Sequence, residues 1–156
     1  MKVCYSINGK KKEFEIKAGE VLLDVLRRNG YFEVKGNCYM GTCGACTVLI
    51  DGLPYTSCTM LAAKVDGSEI TTIKGIGTLQ NPHPLQKAFV EKGAVQCGFC
   101  TPGTILVAYA LLKNNPDPTD DDIKKMLDGN LCRCTGYVQQ IEAVKLAAKM
   151  LKKGDE

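Results

Sequence analysis

The sequence predicts an α+β protein in which a β-rich half precedes a helical half. Apolar and polar residues alternate over much of residues 1–75, which is the period of a half-buried strand. Beyond residue 84 the apolar period lengthens to that of an amphipathic helix. Glycine and proline concentrate between the two halves, at 74–84, and indicate a loop or linker. We therefore expect two domains, 1–76 and 77–156.

Two hairpins around one helix are predicted in the first half. Alternating apolar residues flank the turn dipeptide Asn8-Gly9, and the apolar run Thr47–Ile50 ends at a second turn dipeptide, Asp51-Gly52. Between these hairpins, residues 21–26 keep one helical face, and Gly30 is a suitable helix stop. Residues 70–73 read as a closing strand. These elements together suggest a small mixed sheet.

Four helices are predicted in the second half. Thr101 is expected as a helix N-cap with Pro102 at the first helical position, and Thr119 with Asp122 forms a capping box. Gly93 and Gly129 are placed to end helices. The predicted helices cover 84–90, 101–113, a segment from 119 to 129, and 138–152.

Charge and composition exclude several classes of function. The formal net charge is +3, with ten Lys/Arg and eight Asp/Glu in 1–76 and ten and nine in 77–156, so neither half resembles a nucleic-acid or membrane-surface binder. Aromatic residues are 6% of the chain and Trp is absent, which argues against base stacking. The chain start does not read as a signal peptide, and no apolar run is long enough to span a bilayer. We therefore expect a cytoplasmic protein.

Cysteine is the unusual component of this chain. Nine cysteines in 156 residues are many for a reducing compartment, where disulfides are rare. An odd number excludes a fully paired disulfide framework. Eight of them fall into close groups, which points to metal binding.

The first group has the spacing of a plant-type [2Fe–2S] site. Cys38-x4-Cys43-x2-Cys46 is followed, after eleven intervening residues, by Cys58. Glycines 41 and 44 would let the loop wrap closely around a cluster and turn its backbone N–H groups toward the sulfides. A zinc knuckle at Cys43-x2-Cys46 is the alternative, but Cys58 lacks the nearby second cysteine that such sites use.

The second group is Cys97-x2-Cys100 together with Cys132-x-Cys134. Four thiolates from two pairs can hold either zinc or a second [2Fe–2S] cluster. The close Cys-x-Cys spacing suits two ligands on different irons, and both pairs precede predicted helices, whose N-termini favour an anionic cluster. Spacing alone leaves both metals open.

Three longer motifs carry a family resemblance that covers nearly the whole chain, in order. They resemble the signatures of the iron–sulfur subunit of the xanthine oxidase family of molybdenum hydroxylases. The motifs are Cys38-Tyr-Met-Gly-Thr-Cys43-Gly-Ala-Cys46-Thr-Val, Val95-Gln-Cys97-Gly-Phe-Cys100-Thr-Pro-Gly103 and Gly129-Asn-Leu-Cys132-Arg-Cys134-Thr-Gly-Tyr137.

The resemblance implies a β-grasp, plant-type ferredoxin-like domain followed by a four-helix bundle, each with one [2Fe–2S] cluster. It implies a molybdopterin-binding large subunit and an FAD-binding medium subunit as partners in a hetero-oligomer, with a dimer of heterotrimers as one arrangement. By the same resemblance, Gln96 and Cys134 contact the pterin of the large subunit. Electrons would then pass from the molybdenum site through the helical-domain cluster and the ferredoxin-like cluster to the flavin.

Within the family, three stretches are most similar to small subunits of bacterial three-subunit xanthine dehydrogenases. These are 26–46, Ser57-Cys58 and 93–96. Carbon monoxide, nicotinate, aldehyde and aromatic acyl-thioester enzymes use similar subunits. A stand-alone ferredoxin with a structural zinc domain is the alternative from another class. In none of these interpretations is the chain catalytic alone, because it has one histidine and no nucleotide-binding motif.

Some residues depart from the motifs or stand outside them. Asn37 replaces the usual glycine before the first ligand, and Tyr39-Met40 is bulkier than usual, so the loop around the first cluster is expected to differ in detail. Cys4 is predicted to be a small buried hydrophobe, His83 a loop residue, and Tyr137 a packing residue for the last helix.

Overall fold

A computed structural model of the protein describes residues 1–154 and confirms an α+β fold with one five-stranded sheet. The strands are β1 Lys2–Ile7, β2 Lys10–Glu15, β3 Thr47–Ile50, β4 Leu53–Thr56 and β5 Glu69–Thr71. The helices are α1 Leu22–Arg28, α2 Ile73–Ile76, α3 Pro84–Glu91, α4 Thr101–Asn114, α5 Asp120–Leu127 and α6 Val138–Gly154, and a short 3-10 helix covers Ala62–Val65.

The sheet has the mixed topology of a β-grasp domain. Its order is β2-β1-β5-β3-β4, with antiparallel hairpins at both edges and β5 parallel to β1 in the middle. Both hairpin turns were predicted correctly, because Asn8-Gly9 and Asp51-Gly52 have positive φ at both central positions. One face of the sheet packs on α1, which buries Leu22, Leu23, Val25 and Leu26.

Helices α3 to α6 enclose a second core. Leu85 and Phe89 of α3 and Val144 of α6 are fully buried in it. The capping box of Thr119 and Asp122 is present at the start of α5, as predicted. Within residues 1–154, no helix combines the length and apolar character needed to cross a bilayer.

Two local predictions in this half were wrong, and the prediction of His83 as a loop residue was incomplete. Residues 74–84 are not all loop, since α2 extends to Ile76. His83 is the N-cap of α3: its Nδ1 accepts a hydrogen bond of 3.2 Å from the Leu85 N–H, and its ring packs on Tyr109. Helix α4 begins at Thr101, so the N-cap position belongs to Cys100 rather than Thr101.

The expectation that Cys4 is buried was also wrong. Cys4 is exposed on β1, between the buried residues Val3 and Tyr5. Successive side chains of a strand point to opposite faces, so the residue between two core positions faces solvent.

The two halves are packed directly against each other. Leu49 of β3 forms a small buried cluster with Leu106 and Ala110 of α4. Ile76 packs against this cluster and against the helical core. The domain boundary after residue 76 stays a prediction.

Candidate metal centres

The first cysteine group lies at one end of the β-grasp sheet. Cys38, Cys43 and Cys46 are in the loop between α1 and β3, and Cys58 follows β4. The β3–β4 hairpin brings the two segments together, because the Ser57 hydroxyl and N–H both donate to the Cys46 carbonyl, at 2.7 and 3.3 Å. Cys43, Cys46 and Cys58 are buried and Cys38 is half-buried.

The loop of this first site turns its N–H groups toward sulfur. Glycines 41 and 44 both have positive φ, which the predicted tight wrapping requires. The Met40 N–H donates to Cys38 Sγ at 3.4 Å. Hydrogen bonds from the Thr42 hydroxyl and from the Met40 and Cys43 N–H groups lower the pKa of Cys38 to about 5. The loop therefore favours a thiolate before any metal binds.

The second cysteine group lies where α4 meets the loop between α5 and α6. Cys100 is the N-cap residue of α4, and Cys97 lies three residues before it in the preceding loop. Cys132 and Cys134 come from the α5–α6 loop, and the Cys134 and Cys97 Sγ atoms are 3.6 Å apart. Cys97 and Cys134 are exposed, whereas Cys100 is buried and Cys132 is half-buried.

The eight cysteines predicted as ligands are close neighbours in twos, and in one of these pairs the sulfur atoms of Cys97 and Cys134 are 3.6 Å apart. Within residues 1–154, no three His, Cys, Asp or Glu side chains converge on one point as ligands of a single ion. A [2Fe–2S] cluster has two irons, each bound by two protein sulfurs. The paired cysteines therefore fit a [2Fe–2S] cluster at both sites. The pairs are Cys38–Cys43, Cys46–Cys58, Cys97–Cys134 and Cys100–Cys132.

Burial and hydrogen bonding shift the pKa values of these thiols in opposite directions. Burial raises the pKa of Cys58 and of Cys100 to about 11. Burial also pushes the pKa of Cys132 upward, but hydrogen bonds, chiefly from the Thr135 hydroxyl, outweigh it and lower that pKa to about 7. Metal ligands must be deprotonated, so the buried thiols depend on metal charge to hold their thiolates.

The two sites are joined by backbone contacts. The Leu131 N–H donates to the Cys43 carbonyl at 2.9 Å, and Leu131 is the neighbour of Cys132. The Asn130 amide donates to the Gly44 carbonyl at 3.1 Å. A cavity of about 380 Å³ is bordered both by Cys43 and by all four cysteines of the second group.

Three residues that support the second site were not recognised in the sequence. The Tyr137 hydroxyl accepts a hydrogen bond of 2.9 Å from the Cys132 N–H, so Tyr137 supports a ligand loop rather than only packing a helix. Asn130 and Gln140 are buried polar residues that contact Gly44 and Cys100, respectively. Asn130 and Tyr137 stood inside the third motif, whereas Gln140 carried no sequence signal.

The exposed side of the second site is largely apolar. Gln96 and Arg133 are exposed beside the Cys97–Cys134 pair. We call the exposed surface around this pair the outer face. Its apolar members, with their exposed fractions, are Val95 38%, Phe99 42%, Leu131 58% and Val138 64%.

Comparison with known protein families identifies both halves. Residues 5–71 match the family described as a 2Fe-2S iron-sulfur cluster binding domain. Residues 72–145 match the family described as a [2Fe-2S] binding domain. The helical half therefore holds a second [2Fe–2S] cluster, and the alternative of a structural zinc domain is not supported.

Individual relatives agree with this assignment. The chain is 48% identical over 145 residues to the nicotinate dehydrogenase small FeS subunit of Eubacterium barkeri, covering 92% of each. It is 44% identical over 141 residues to the xanthine dehydrogenase iron-sulfur-binding subunit of Escherichia coli O157:H7, covering 89% of each. Among solved structures, quinoline 2-oxidoreductase from Pseudomonas putida 86 matches with a TM-score of 0.93 and 38% identity, covering 100% of this chain and 98% of that one.

Proposed function

Because this chain belongs to the iron–sulfur subunits of the xanthine oxidase family of molybdenum hydroxylases, we propose that it conducts electrons between a molybdopterin subunit and a flavin subunit. It is an electron-transfer subunit with two [2Fe–2S] clusters. Such clusters supply one-electron acceptance and release. The work of the chain is to hold them at fixed positions and to set their surroundings.

The observation that carries this proposal is the hydrogen bond that joins the loops of the two cysteine groups. Cys43 of the first group and Cys132 of the second are linked through one hydrogen bond, from the Leu131 N–H to the Cys43 carbonyl. Both groups border the same cavity. A protein that only stored iron would not require its two sites to share a hydrogen bond, whereas electron exchange requires them to be close.

We assign the eight paired cysteines as the cluster ligands. The first cluster takes Cys38, Cys43, Cys46 and Cys58, and the second takes Cys97, Cys100, Cys132 and Cys134. The support is the pairing of their sulfurs and the N–H and hydroxyl donors directed at Cys38 and Cys132. The ninth cysteine, Cys4, lies on an exposed strand position and has no role in this assignment.

The outer face is the proposed contact with the molybdopterin subunit. The Cys97–Cys134 pair is exposed there and is rimmed by apolar side chains that a partner would cover. Gln96 and Cys134 would then face the pterin. The flavin subunit would approach the first site at the half-buried Cys38, beside the exposed Tyr39 and Met40.

Replacing Gln96 by Ala is expected to keep both clusters and to weaken the contact with the pterin. A glutamine amide offers two donors and one acceptor, and an interface hydrogen bond whose partner is left unsatisfied costs about 1–3 kcal/mol. Gln96→Glu should be more harmful, because it adds negative charge beside an anionic cluster. Rapid-mixing reduction of the assembled complex, with its iron and molybdenum contents measured first, tests this. Unchanged molybdenum occupancy and unchanged reduction rates in both variants would show that Gln96 is only a solvated residue.

For the substrate, we propose a nitrogen heterocycle, with xanthine as the first compound to test. The relatives named above act, by their names, on nicotinate, xanthine and quinoline, which share a ring nitrogen. The substrate would bind in the molybdopterin subunit and not in this chain. An aldehyde is the second class to test, since an aldehyde oxidoreductase from Megalodesulfovibrio gigas is 43% identical over 150 residues, which make up 16% of that protein.

A cytoplasmic location is part of the proposal. Nine cysteines, eight of them needed as reduced thiolates for metal, suit a compartment that keeps thiols reduced. We propose no nucleic-acid or membrane partner.

Purification of the native complex tests the proposed function most directly. We expect this chain to co-purify with a molybdenum-containing and a flavin-containing subunit, and to carry about four irons in two [2Fe–2S] clusters. The complex should oxidise xanthine or nicotinate faster than an aldehyde. Isolation of this chain alone, without molybdenum or flavin partners and with zinc replacing half of the iron, would contradict the proposal.

A further inference from the structure

Gln140 is a buried amide in a position where the surrounding core is apolar. It lies in the first turn of α6 and is 1% exposed. The next buried residues along α6, Ala143, Val144 and Ala147, are all apolar. Among the largest fully buried side chains of residues 1–154, Gln140 is the one amide. An amide buried without a partner is unfavourable, so its contacts explain why it is tolerated.

The partner of this amide is a cysteine of the second site. The Gln140 Nε2 donates to Cys100 Sγ at 3.7 Å. Gln140 is on α6 and Cys100 is the N-cap of α4, so the contact connects two helices of the bundle. Cys100 is itself buried, and water does not compete strongly for this hydrogen bond.

We propose that Gln140 is a positioning residue that raises the reduction potential of the second cluster through its hydrogen bond to the Cys100 sulfur. This inference rests on the proposed assignment of Cys100 as a ligand. Reduction adds one negative charge to the cluster and its ligand sulfurs. An N–H dipole directed at a ligand sulfur stabilises that added charge more in the reduced state than in the oxidised state, and burial limits screening by solvent.

Gln140 gives the inner pair, Cys100–Cys132, an amide donor, whereas the Thr104 hydroxyl beside it donates to the Cys100 carbonyl oxygen at 3.0 Å. The other sulfur of the inner pair, Cys132, already contacts the Thr135 hydroxyl at 3.2 Å. The outer pair, Cys97–Cys134, is exposed on the face that we propose the partner subunit covers. Gln140 therefore acts on the side of the second site that lies away from the outer face, and its effect does not depend on whether the partner is bound.

A redox titration of the complex tests the proposal. At a fixed solution potential, Gln140→Leu should lower the ratio of reduced to oxidised second cluster by about threefold to tenfold, and a tenfold change corresponds to about 59 mV for one electron. Gln140→Met provides a second apolar variant of similar length, in case the leucine packs poorly. Gln139→Leu is the matched control, because Gln139 is the same residue type one position earlier and is exposed.

Electron paramagnetic resonance of the two clusters separates this inference from the proposed function. If every variant shows two [2Fe–2S] signals and full iron content, the ligand assignment stands. A lower reduction potential of the second cluster in Gln140→Leu and Gln140→Met, but not in Gln139→Leu, supports the inference. An unchanged potential in Gln140→Leu and Gln140→Met would overturn it, even if their thermal stability falls. In Gln96→Ala labelled with ¹⁵N in glutamine side chains, a ¹⁵N coupling to the second cluster is expected; its retention after the further change Gln140→Met would also overturn the inference.

Discussion

Replacing Cys43 by Ser is expected to abolish the first cluster and to stop electron delivery to the flavin. Cys43 is buried between the first site and the shared cavity, and its carbonyl accepts the hydrogen bond that joins the two sites. A serine hydroxyl is far harder to deprotonate than a thiol and is a poor ligand for iron in a sulfur site. Iron per chain should fall from about four to about two, as one cluster of two irons is lost.

Low-temperature electron paramagnetic resonance is the measurement for this variant. The wild type should show two [2Fe–2S] signals and Cys43→Ser only the signal of the second cluster. Substrate should still reduce the molybdenum site and the second cluster once, while turnover with a flavin-linked acceptor is lost. Cys4→Ser is the matched control, since Cys4 is exposed on β1 and should keep both signals and full turnover. Retention of both signals in Cys43→Ser would refute the assignment.

Cys100→Ser should give the complementary pattern. Cys100 belongs to the inner pair of the second group and also accepts the Gln140 hydrogen bond. Losing the Cys100 thiol should remove the signal of the second cluster and disturb the contact with the pterin. Substrate should then no longer reduce the first cluster. If both serine variants removed the same signal, the assignment of the two groups to separate clusters would be wrong.

Replacing Gly103 by Ala is expected to separate the two domains at the point where their metal sites meet. A Cβ at Gly103 would lie 2.4 Å from the Gly44 carbonyl oxygen, which is backbone and cannot move aside alone. That oxygen already accepts hydrogen bonds from the Thr47 hydroxyl and the Asn130 amide, at 2.7 and 3.1 Å. Helix α4 must therefore shift away from the first-site loop.

The expected cost of this overpacking is about 1–3 kcal/mol in the free energy of unfolding, or a fall of about 2–10 °C in Tm. The shift should also lengthen the hydrogen bond from Leu131 to Cys43 and weaken the magnetic interaction between the two reduced clusters. Thermal unfolding and electron paramagnetic resonance at full reduction measure the two effects.

Gly129→Ala is the matched control for this experiment. Gly129 lies at the same domain contact, but a Cβ there would meet nothing within 4 Å. This variant should have wild-type or slightly higher stability, because alanine restricts the unfolded chain. Equal stability and equal cluster interaction in the two alanine variants would show that the close approach of α4 to Gly44 is not needed.

Local chemistry made several parts of the protein predictable. The turns at Asn8-Gly9 and Asp51-Gly52 followed from residues that tolerate positive φ, and the capping box at Thr119 followed from a hydrogen bond between near neighbours. Both depend on a few consecutive residues. The wrong prediction for Cys4 is instructive, since the alternation that placed Val3 and Tyr5 inside already placed Cys4 outside.

Contacts between distant residues were not predictable in the same way. His83 looked like an isolated loop residue, yet it caps α3 and packs on Tyr109. Gln140 reads as one of two adjacent glutamines, and only the crossing of α4 and α6 brings its amide to Cys100. The side chains of such residues find partners through packing of whole elements, which no local pattern specifies.

The fold class, the eight clustered cysteines and the family follow from the sequence, because ligand spacing and motif order are written along the chain. How the cysteines pair, which pairs are exposed, and how the two sites contact each other depend on how the chain packs in three dimensions. Cys43 and Leu131 are 88 residues apart in sequence, and their hydrogen bond exists because the β-grasp loop and the α5–α6 loop meet when the two cores pack. Close packing, unlike spacing, is a property of the folded chain as a whole.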